Sequence, residues 1–476
     1  MLKKIQQDFI FYAHELKDNY RKGVHRLRTI LASRAQAQAF VSNAGGVSVV
    51  LGYEPDAPDR NAKELYALLM DSPYIDDAVQ TFLGSIYEEG AEGPDAMYAD
   101  SARCLEILHD PVMARAAGAG AVSAGKWIAT LAGQSCAAYT GIAAVAASET
   151  AMTAVAASET AMAAVVGNAT ALNAVVTSQV ALNAVAASET AMAAVIANST
   201  ALNTVVTSPV AMNAVASSYV AVAALYESAV AVEAVKANET AWATLTGASS
   251  AVMGKAAAKL AGLNPADYAD MTAVASSSTA MAAIIANSTA LNAVVSSSAA
   301  MSAVAASQTA MTAVAASSTA MAAIASSQTA MAAIASSSTA MAAIIGNSTA
   351  LNAVVSSSTA MAAIASSQTA MAAIAASSTA LSAIAASTTA LDAIYAKKKR
   401  MSGASASLSG KFIILQISND NAFDTSQYGY ATLSDGSKPK WDNYKGKYAY
   451  FKQYKKIATY MKNDTDRDDW IDYFQC

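Results

Sequence analysis

The chain repeats itself every ten residues over more than half of its length. A Met, Leu or similar apolar residue marks each decad from Met152 to Trp242, and again from Met271 to Leu391. The second array is shifted by one position relative to the first. Self-similarity at a fixed short period is the signature of a repeat architecture, in which each unit packs on its neighbours. This feature constrains the fold more than any other in the sequence.

The array is apolar without being membrane-like. Hydrophobic residues make up 54% of the chain and charged residues 14%, and no charge occurs between Met271 and Leu391. Ser, Thr or Asn recurs in every decad, so no run approaches the roughly 18 apolar residues of a membrane helix. The N-terminus lacks the apolar segment of a signal peptide. The net charge of -5 gives no electrostatic reason for nucleic-acid binding. We expect neither membrane insertion nor nucleic-acid partners.

Each decad, numbered so that Met or Leu is position 2, predicts a short helix with its own ends. Position 8 carries favoured N-cap residues, such as Ser158 and Asn168. Position 9 would begin the helix; it holds Glu159, which suits the helix dipole, and Pro209, which is tolerated there. Gly167 at position 7 is placed to end a helix with a positive φ. The prediction is a helix of roughly eight residues, about 12 Å long.

Two rival architectures fit the period less well. A continuous coiled coil would need about 3.33 residues per turn, below the usual range, and Pro209 speaks against it. A β-solenoid lacks the required alternation, and Ala and Met are poor strand residues. Short helices are unstable alone, so positions 2, 5 and 6 predict an apolar core stripe flanked by Ala at positions 1 and 4. The thirty-residue spacing of Asn168 and Asn198 suggests three decads per superhelical turn.

The predicted class is mainly α: an α-solenoid rod of ten-residue repeats between two different ends. Residues 1–141 predict an all-α anchoring domain that caps the first array, with breaks at Gly45-Gly46 and at 53–58. Its predicted helices cover 2–42, 60–70, 74–89, 96–109 and 112–132. The remaining domains are array 1 (142–250), a joint (251–270), array 2 (271–400) and an aromatic-rich α+β C-terminal domain (401–476).

The C-terminal domain predicts strands over 411–417 and 428–433, the second followed by the hairpin signal Ser434-Asp435-Gly436. Its aromatic residues allow two interpretations. They form the core of a small cap, or they form an exposed surface for a saccharide or protein partner. The candidate contact residues for the second interpretation are Trp441, Tyr444, Tyr448, Tyr450 and Trp470.

The sequence contains no recognisable catalytic motif, and we predict a non-enzyme without metal or cofactor. The only histidines are His14, His25 and His109, and Cys104 and Cys136 predict buried thiols. The acidic run 464–469 lacks the Gly and the closing Glu of a calcium loop. Within the two arrays, five Asn residues satisfy N-x-[ST]; the capping pattern explains them, and glycosylation is the alternative. They are Asn168, Asn198, Asn238, Asn287 and Asn347.

Decads such as Ser-Ser-Ser-Thr-Ala-Met-Ala-Ala-Ile-Ala and Gly-Asn-Ser-Thr-Ala-Leu-Asn-Ala-Val-Val (346–355) resemble the repeats of tail-fibre and adsorption proteins of tailed bacteriophages. The resemblance covers residues 142–400. It implies a homo-oligomeric virion component with one end on tail or baseplate proteins. The aromatic domain would then contact the host surface, as a saccharide or protein, or a further fibre segment.

Two other functions remain open from the sequence. An ice- or surface-binding protein would use threonines at ten-residue spacing, and a bacterial surface adhesin would use the same repeat as a stalk. The threonines are Thr279, Thr289, Thr309, Thr319, Thr329 and Thr339.

Overall fold

The structure is a computed structural model that describes residues 20–51, 60–87, 93–402, 407–418, 430–433, 436–437, 456–462 and 470–475. Its internal contacts divide the chain into two compact units, Met1–Leu245 and Thr246–Cys476, which are described one at a time. Both units contain ten-residue helical repeats, and the second also contains an antiparallel sheet. The predicted class, a mainly α repeat fold with a small sheet-containing end, is confirmed.

The first unit begins with helices of ordinary composition. Asp100 and Asp110 each accept hydrogen bonds from two amides of the following turn, so each starts a helix. The helix predicted over 96–109 is therefore two helices, and the one predicted over 112–132 is interrupted at Gly120. In the described part of this region the helices are α1 Tyr20–Ala32, α2 Arg34–Val41, α3 Ala44–Leu51, α4 Arg60–Met70, α5 Ile75–Tyr87, α6 Gly93–Tyr98, α7 Ser101–His109, α8 Pro111–Ala119 and α9 Ala121–Leu131.

Gly45 and Gly46 lie inside α3, so the predicted helix break at these residues is wrong. Asn43 precedes the helix, and its Oδ1 accepts from the Gly46 amide at 2.7 Å. A Cβ on Gly46 would lie 3.3 Å from Cε2 of Phe40, so this glycine permits a close approach of ring and helix. The local signal for a helix start was the asparagine, which is a favoured N-cap.

The first array follows a 3-10 turn at Cys136–Ala138. Its helices have six to nine residues, as the decad predicts. They are α10 Ile142–Ala147, α11 Glu149–Ala157, α12 Glu159–Val166, α13 Ala169–Val176, α14 Gln179–Ala187, α15 Glu189–Ala197, α16 Ser199–Thr207, α17 Pro209–Ala216, α18 Tyr219–Glu227, α19 Ala229–Lys236 and α20 Glu239–Thr246.

A single residue often ends one helix and begins the next. Ser158 is extended, with φ -103° and ψ 117°, and its Oγ accepts from the Ala161 amide at 3.2 Å. Its own amide donates to the Val155 carbonyl at 3.1 Å. Both interactions satisfy backbone groups that a helix end leaves unpaired. The predicted caps at position 8 are confirmed, and Pro209 is the first residue of α17.

Position 7 does not use a left-handed residue. Gly167 has φ -77°, so the positive φ predicted for it is wrong, and Gly346 at the same position of the second array has φ -74°. The next residue is an extended N-cap whose amide donates to the carbonyl three residues back, as Asn168 does to Val165 at 3.2 Å. This bond closes the helix, so the chain can change direction without a left-handed conformation.

Successive helices turn sharply. The axes of α13 and α14 differ by 97°, and those of α17 and α18 by 101°. Each helix packs on the third helix after it, as α11 does on α14 and α14 on α17. Three helices therefore complete one turn of the solenoid, in agreement with the thirty-residue spacing of Asn168 and Asn198.

Cap residues also join consecutive turns. Ser178 Oγ donates to the Ala146 carbonyl at 2.6 Å, and Asn198 Nδ2 donates to the Val166 carbonyl at 3.1 Å. In each pair the acceptor lies near the end of a helix one turn earlier. A hydroxyl has one proton to donate and two lone pairs, so the same serine can cap its own helix.

The core of the array follows the predicted stripe and extends it. Met152, Val155 and Ala156 are buried at positions 2, 5 and 6. Ala151 at position 1 is completely buried as well, whereas Ala154 at position 4 is half-buried. Position 1 therefore belongs to the core rather than to its flank, because only a methyl group fits where turns approach closely.

The second unit repeats this organisation. Most of the segment predicted as a joint is helical: α21 spans Ser250–Leu260 and a 3-10 turn spans Pro265–Asp267. The array helices that follow are α22 Met271–Ser276, α23 Ser278–Ala286, α24 Ser288–Ser296, α25 Ser298–Ala306, α26 Gln308–Ala316, α27 Ser318–Ser326, α28 Gln328–Ala335, α29 Ser338–Ile345, α30 Ser348–Val355, α31 Ser358–Ala365, α32 Gln368–Ala376, α33 Ser378–Ala386 and α34 Thr388–Tyr395.

An antiparallel sheet follows α34. Its strands are β1 Lys399–Ser402, β2 Ser407–Ser418, β3 Tyr430–Leu433, β4 Lys456–Lys462 and β5 Trp470–Gln475, in the order β1-β5-β2-β4-β3. The strands predicted over 411–417 and 428–433 correspond to β2 and β3. A turn follows Leu433, whose carbonyl accepts from Gly436 at 3.0 Å. It does not lead directly into the paired strand, because β4 begins only at Lys456.

The sheet packs against the last turn of its own array. One face carries an apolar cluster that includes Phe412, Ile414 and Tyr473. Helix α33 contacts β4, and the Lys411 ammonium donates to the Ala375 carbonyl at the end of α32. A cation suits that position, since the last carbonyls of a helix carry partial negative charge.

Candidate functional site

Trp470 is the only candidate contact residue within the described parts of the chain. It begins β5, where it pairs with Ser402 of β1 and Ser418 of β2, and its side chain is half-buried. The Arg400 guanidinium lies over the indole, 3.6 Å from the ring centroid. Such stacking is favourable because the ring face is negative.

Arg400 also binds a carboxylate that is fully buried. Its Nε lies 2.6 Å from Asp472 Oδ1 and its Nη2 lies 2.9 Å from Oδ2, a bidentate arrangement. The Lys398 ammonium lies 3.9 Å from Asp472 Oδ2 and 3.7 Å from the centroid of the Tyr395 ring. Removing Arg400 would leave the fully buried carboxylate of Asp472 without its bidentate partner, so the cluster fixes β1 and β5 to the end of α34.

The geometry at Trp470 therefore supports the interpretation of the aromatic residues as part of a cap. Tyr473 makes an edge-to-face contact with Phe412 at 5.4 Å, and burial raises the pKa of its hydroxyl. One face of Trp470 is covered by Arg400, which leaves less of the ring for a partner. The other four candidates, Trp441, Tyr444, Tyr448 and Tyr450, lie outside the described residues.

The threonines of the second array do not form one row. Helix α23 packs on α26 and α26 on α29, so Thr279, Thr309 and Thr339 share a face of the solenoid. Thr289 and Thr319 lie on the next face, since α24 packs on α27. Residues ten positions apart thus point in three directions, and only a thirty-residue spacing produces a column. The regular row of threonines that the ice-binding hypothesis requires is therefore split among the faces of the solenoid.

The asparagines of the N-x-[ST] motifs are occupied by structural interactions. Asn168 is buried, and its Oδ1 accepts from Thr170 and Ala171 at 3.0 and 3.2 Å. Asn198 Nδ2 donates to Val166, and Asn287 Nδ2 donates to Leu260 at 2.8 Å. A glycan on Asn198 or Asn287 would have to replace a hydrogen of the Nδ2 group that contacts the preceding turn, which favours the interpretation of the motifs as helix caps.

Buried polar groups in the first unit belong to its packing. The Lys126 ammonium pairs with Asp95 and donates to the Cys136 and Tyr139 carbonyls at 3.2 and 3.0 Å. Burial raises the pKa of the Cys104 thiol to about 12, so this thiol is protonated at neutral pH. Cys104 and Cys136 are buried, as predicted. The Lys126–Asp95 pair could not be predicted from sequence, because its partners are distant along the chain.

We also searched the described residues for a metal site and for a binding groove. No group of three or more His, Cys, Asp or Glu side chains within them could hold a metal ion, and the acidic run 464–469 lies outside them. An open groove of about 620 Å³ lies between α28 and α31. Ala332, Ser336 and Thr359 are among its uncharged lining residues.

No described helix is by itself long and apolar enough to span a membrane. Six pairs of helices joined by a bend meet that requirement together, by length and composition alone.

Comparison of the chain with known proteins does not identify a family. No protein-family model matches the chain, and no curated protein sequence matches it.

Proposed function

We propose that this chain is a non-enzymatic structural component of a phage virion, a tail-fibre or adsorption protein that holds two different ends apart. The observation that carries the proposal is the ladder of cap-to-carbonyl hydrogen bonds, which repeats in both arrays, as between Ser178 and Ala146 and between Ser307 and Ala275. A scaffold made of one repeated contact supplies length without a reaction centre.

The composition of the second array supports the same role. A surface of Ala, Ser, Thr, Asn and Gln without any charge from Met271 to Leu391 offers no group that would act as an acid, a base or a nucleophile activator. The resemblance of these decads to tail-fibre repeats favours a virion over other extended assemblies. Under this proposal the chain is a homo-oligomer that binds other tail or baseplate proteins at one end.

The first experiment is immunogold labelling of virions produced by the source of this chain, with antibodies against each unit separately. Label from both units on tails or fibres is the expected result, and the order of the two labels identifies the anchored end. Label on the cell envelope instead of virions would contradict the proposal and favour the adhesin. Thermal hysteresis of the purified protein would favour the ice binder.

The partner of the C-terminal domain requires a separate test. Glycan and host-cell binding by the full chain should fall in a Tyr444→Ala, Tyr448→Ala double variant if the aromatic residues contact a receptor. Tyr473→Phe is the matched control, because its ring remains packed on Phe412. Equal binding by both variants would contradict the receptor interpretation and leave the aromatic residues as part of a cap.

A further inference from the structure

The segments that precede the two arrays have the same structure. Helix α9 in the first unit and α21 in the second both have eleven residues. Each is followed by a 3-10 turn of three residues and then by a six-residue first array helix, α10 or α22. We call residues 120–147 and 249–276 starting modules.

The two starting modules also match in backbone conformation. After α9 the chain turns through Gly133 with φ +72°, and after α21 it turns through Gly262 with φ +75°. The Gln134 amide donates to Ala129, and the Leu263 amide donates to Ala258, both at 2.8 Å. These bonds close the helix in the same way, and a positive φ favours glycine at both turns.

A second pair of glycines lies where the first helix of each module, α9 or α21, which we call the starting helix, crosses the beginning of the array. A Cβ on Gly125 would lie 2.1 Å from the carbonyl carbon of Gly141, and one on Gly254 would lie 2.3 Å from that of Asp270. No side chain fits at such distances, so the backbones touch. Sequence identity is concentrated at these points: Gly, Lys, Leu, Ala, Gly and Tyr recur at a constant offset (Gly125, Lys126, Leu131, Ala132, Gly133, Tyr139; Gly254, Lys255, Leu260, Ala261, Gly262, Tyr268).

In each starting module, the last carbonyl of the starting helix accepts a hydrogen bond from a cap residue in the first turn of the array. Ser158 Oγ donates to the Leu131 carbonyl at 3.1 Å, and Asn287 Nδ2 donates to the Leu260 carbonyl at 2.8 Å. These carbonyls end the starting helices, so each helix takes the place of an array helix one turn earlier. Terminal units of a solenoid must cover the apolar face that has no preceding repeat.

We infer that residues 249–276 are a second starting module, and that each array takes its register and its folding from its own module. The shift of the second array by one position follows, because Ile142 and Met271 each begin the six-residue helix that ends a module, and this helix sets the phase of all later decads. The segment is thus the beginning of a second complete solenoid unit. The inference does not depend on the function proposed above.

The test is hydrogen exchange measured by mass spectrometry on the full chain. Gly254→Val should remove protection from the amides of α22 to α31 and leave α11 to α18 unchanged. Gly125→Val should do the reverse. Gly262→Ala is a milder variant, since a side chain at positive φ is strained but not blocked; we expect roughly tenfold faster exchange in the second array alone.

Gly346→Ala is the matched control inside an array. Its φ is -74° and its added Cβ would lie 3.3 Å from the Ala342 carbonyl oxygen, so only local exchange should change. Loss of protection in both arrays after either module variant would overturn the inference, because the arrays would then fold as one body. Unchanged protection in the second array after Gly254→Val and Gly262→Ala would overturn it as well.

Discussion

At the scale of the residue, the serine at position 8 carries two interactions on one hydroxyl. Ser188 Oγ accepts from the Ala191 amide at 3.2 Å, and it donates to the Ala156 carbonyl in the preceding turn. The first bond defines where a helix begins, and the second sets where the helix lies on its neighbour. Asparagine makes both interactions with two separate atoms, which explains why Asn can replace Ser at this position.

We predict that Ser188→Ala lowers the free energy of unfolding of the first unit by about 1–2 kcal/mol, because it removes a cap and leaves a buried carbonyl without its donor. Ser217→Ala is the control, because this exposed hydroxyl bonds only to Asn213 of its own helix. Urea denaturation followed by circular dichroism measures both. An equal effect of the two substitutions would contradict the role assigned to the cap.

The buried thiol of Cys104 predicts alkaline sensitivity in the first unit. Its pKa is raised from 9.0 to about 12 by burial, so the folded state retains a proton that the unfolded state loses. Stability from this group is fully present below pH 9 and falls as the pH rises towards 12. We expect the urea midpoint of the first unit to fall over that window, and to fall less in Cys104→Ala. An identical pH profile for the variant would show that other groups are responsible.

At the scale of the element, each short helix is defined by its ends rather than by its interior. The N-cap residue is extended and the residue after it begins the helix, as at Ser208 and Pro209. An extended residue also suits the position before a proline. Proline is therefore tolerated at position 9 of the decad, although it would break the same helix three or four positions later.

Proline substitution distinguishes these positions in the second array. Ser338→Pro should leave the free energy of unfolding almost unchanged, because Ser337 is already extended with φ -108° and ψ 119°. Ala343→Pro, inside the same helix, should cost about 3 kcal/mol or more. Thermal denaturation of the two variants provides the comparison. Equal destabilisation would contradict the helix boundary at Ser338.

The features predictable from sequence were those determined by neighbouring residues. The caps at Ser158 and Asn168, the proline at the start of α17 and the core stripe all follow from contacts within one decad. Position 7 was mispredicted at Gly167 because the closing bond comes from the following cap, which removes the need for a left-handed residue. The environment of Trp470 could not be predicted from sequence. Its stacking partner Arg400 is distant along the chain and comes near only because β1 pairs with β5.

At the scale of the whole molecule, charge is distributed very unevenly. The second array has no charged residue from Met271 to Leu391, whereas helices of the first array begin with Glu159 and Glu189, and both flanking regions carry many charges. The stability of the second array thus rests on burial and hydrogen bonds, neither of which is screened by dilute salt.

This distribution predicts different responses to ionic strength. Between about 0.05 and 0.5 M sodium chloride, protection of the second array against hydrogen exchange should change by less than about 0.5 kcal/mol. The first unit contains the exposed pair Lys236–Glu233 and serves as the internal comparison, since salt screens exposed charges. A larger response in the second array than in the first would contradict this account.

The hydrogen bond from each cap side chain to the preceding turn has a consequence for the evolution of repeat number. Because nearly identical decads meet their neighbours through the same Ser-to-carbonyl contact, as Ser327 meets Val295 and Ser387 meets Val355, one decad can replace another without new chemistry. Unequal recombination between copies of the repeat would therefore yield longer and shorter chains that still fold. Length becomes a trait that varies in whole steps while both ends of the protein stay the same.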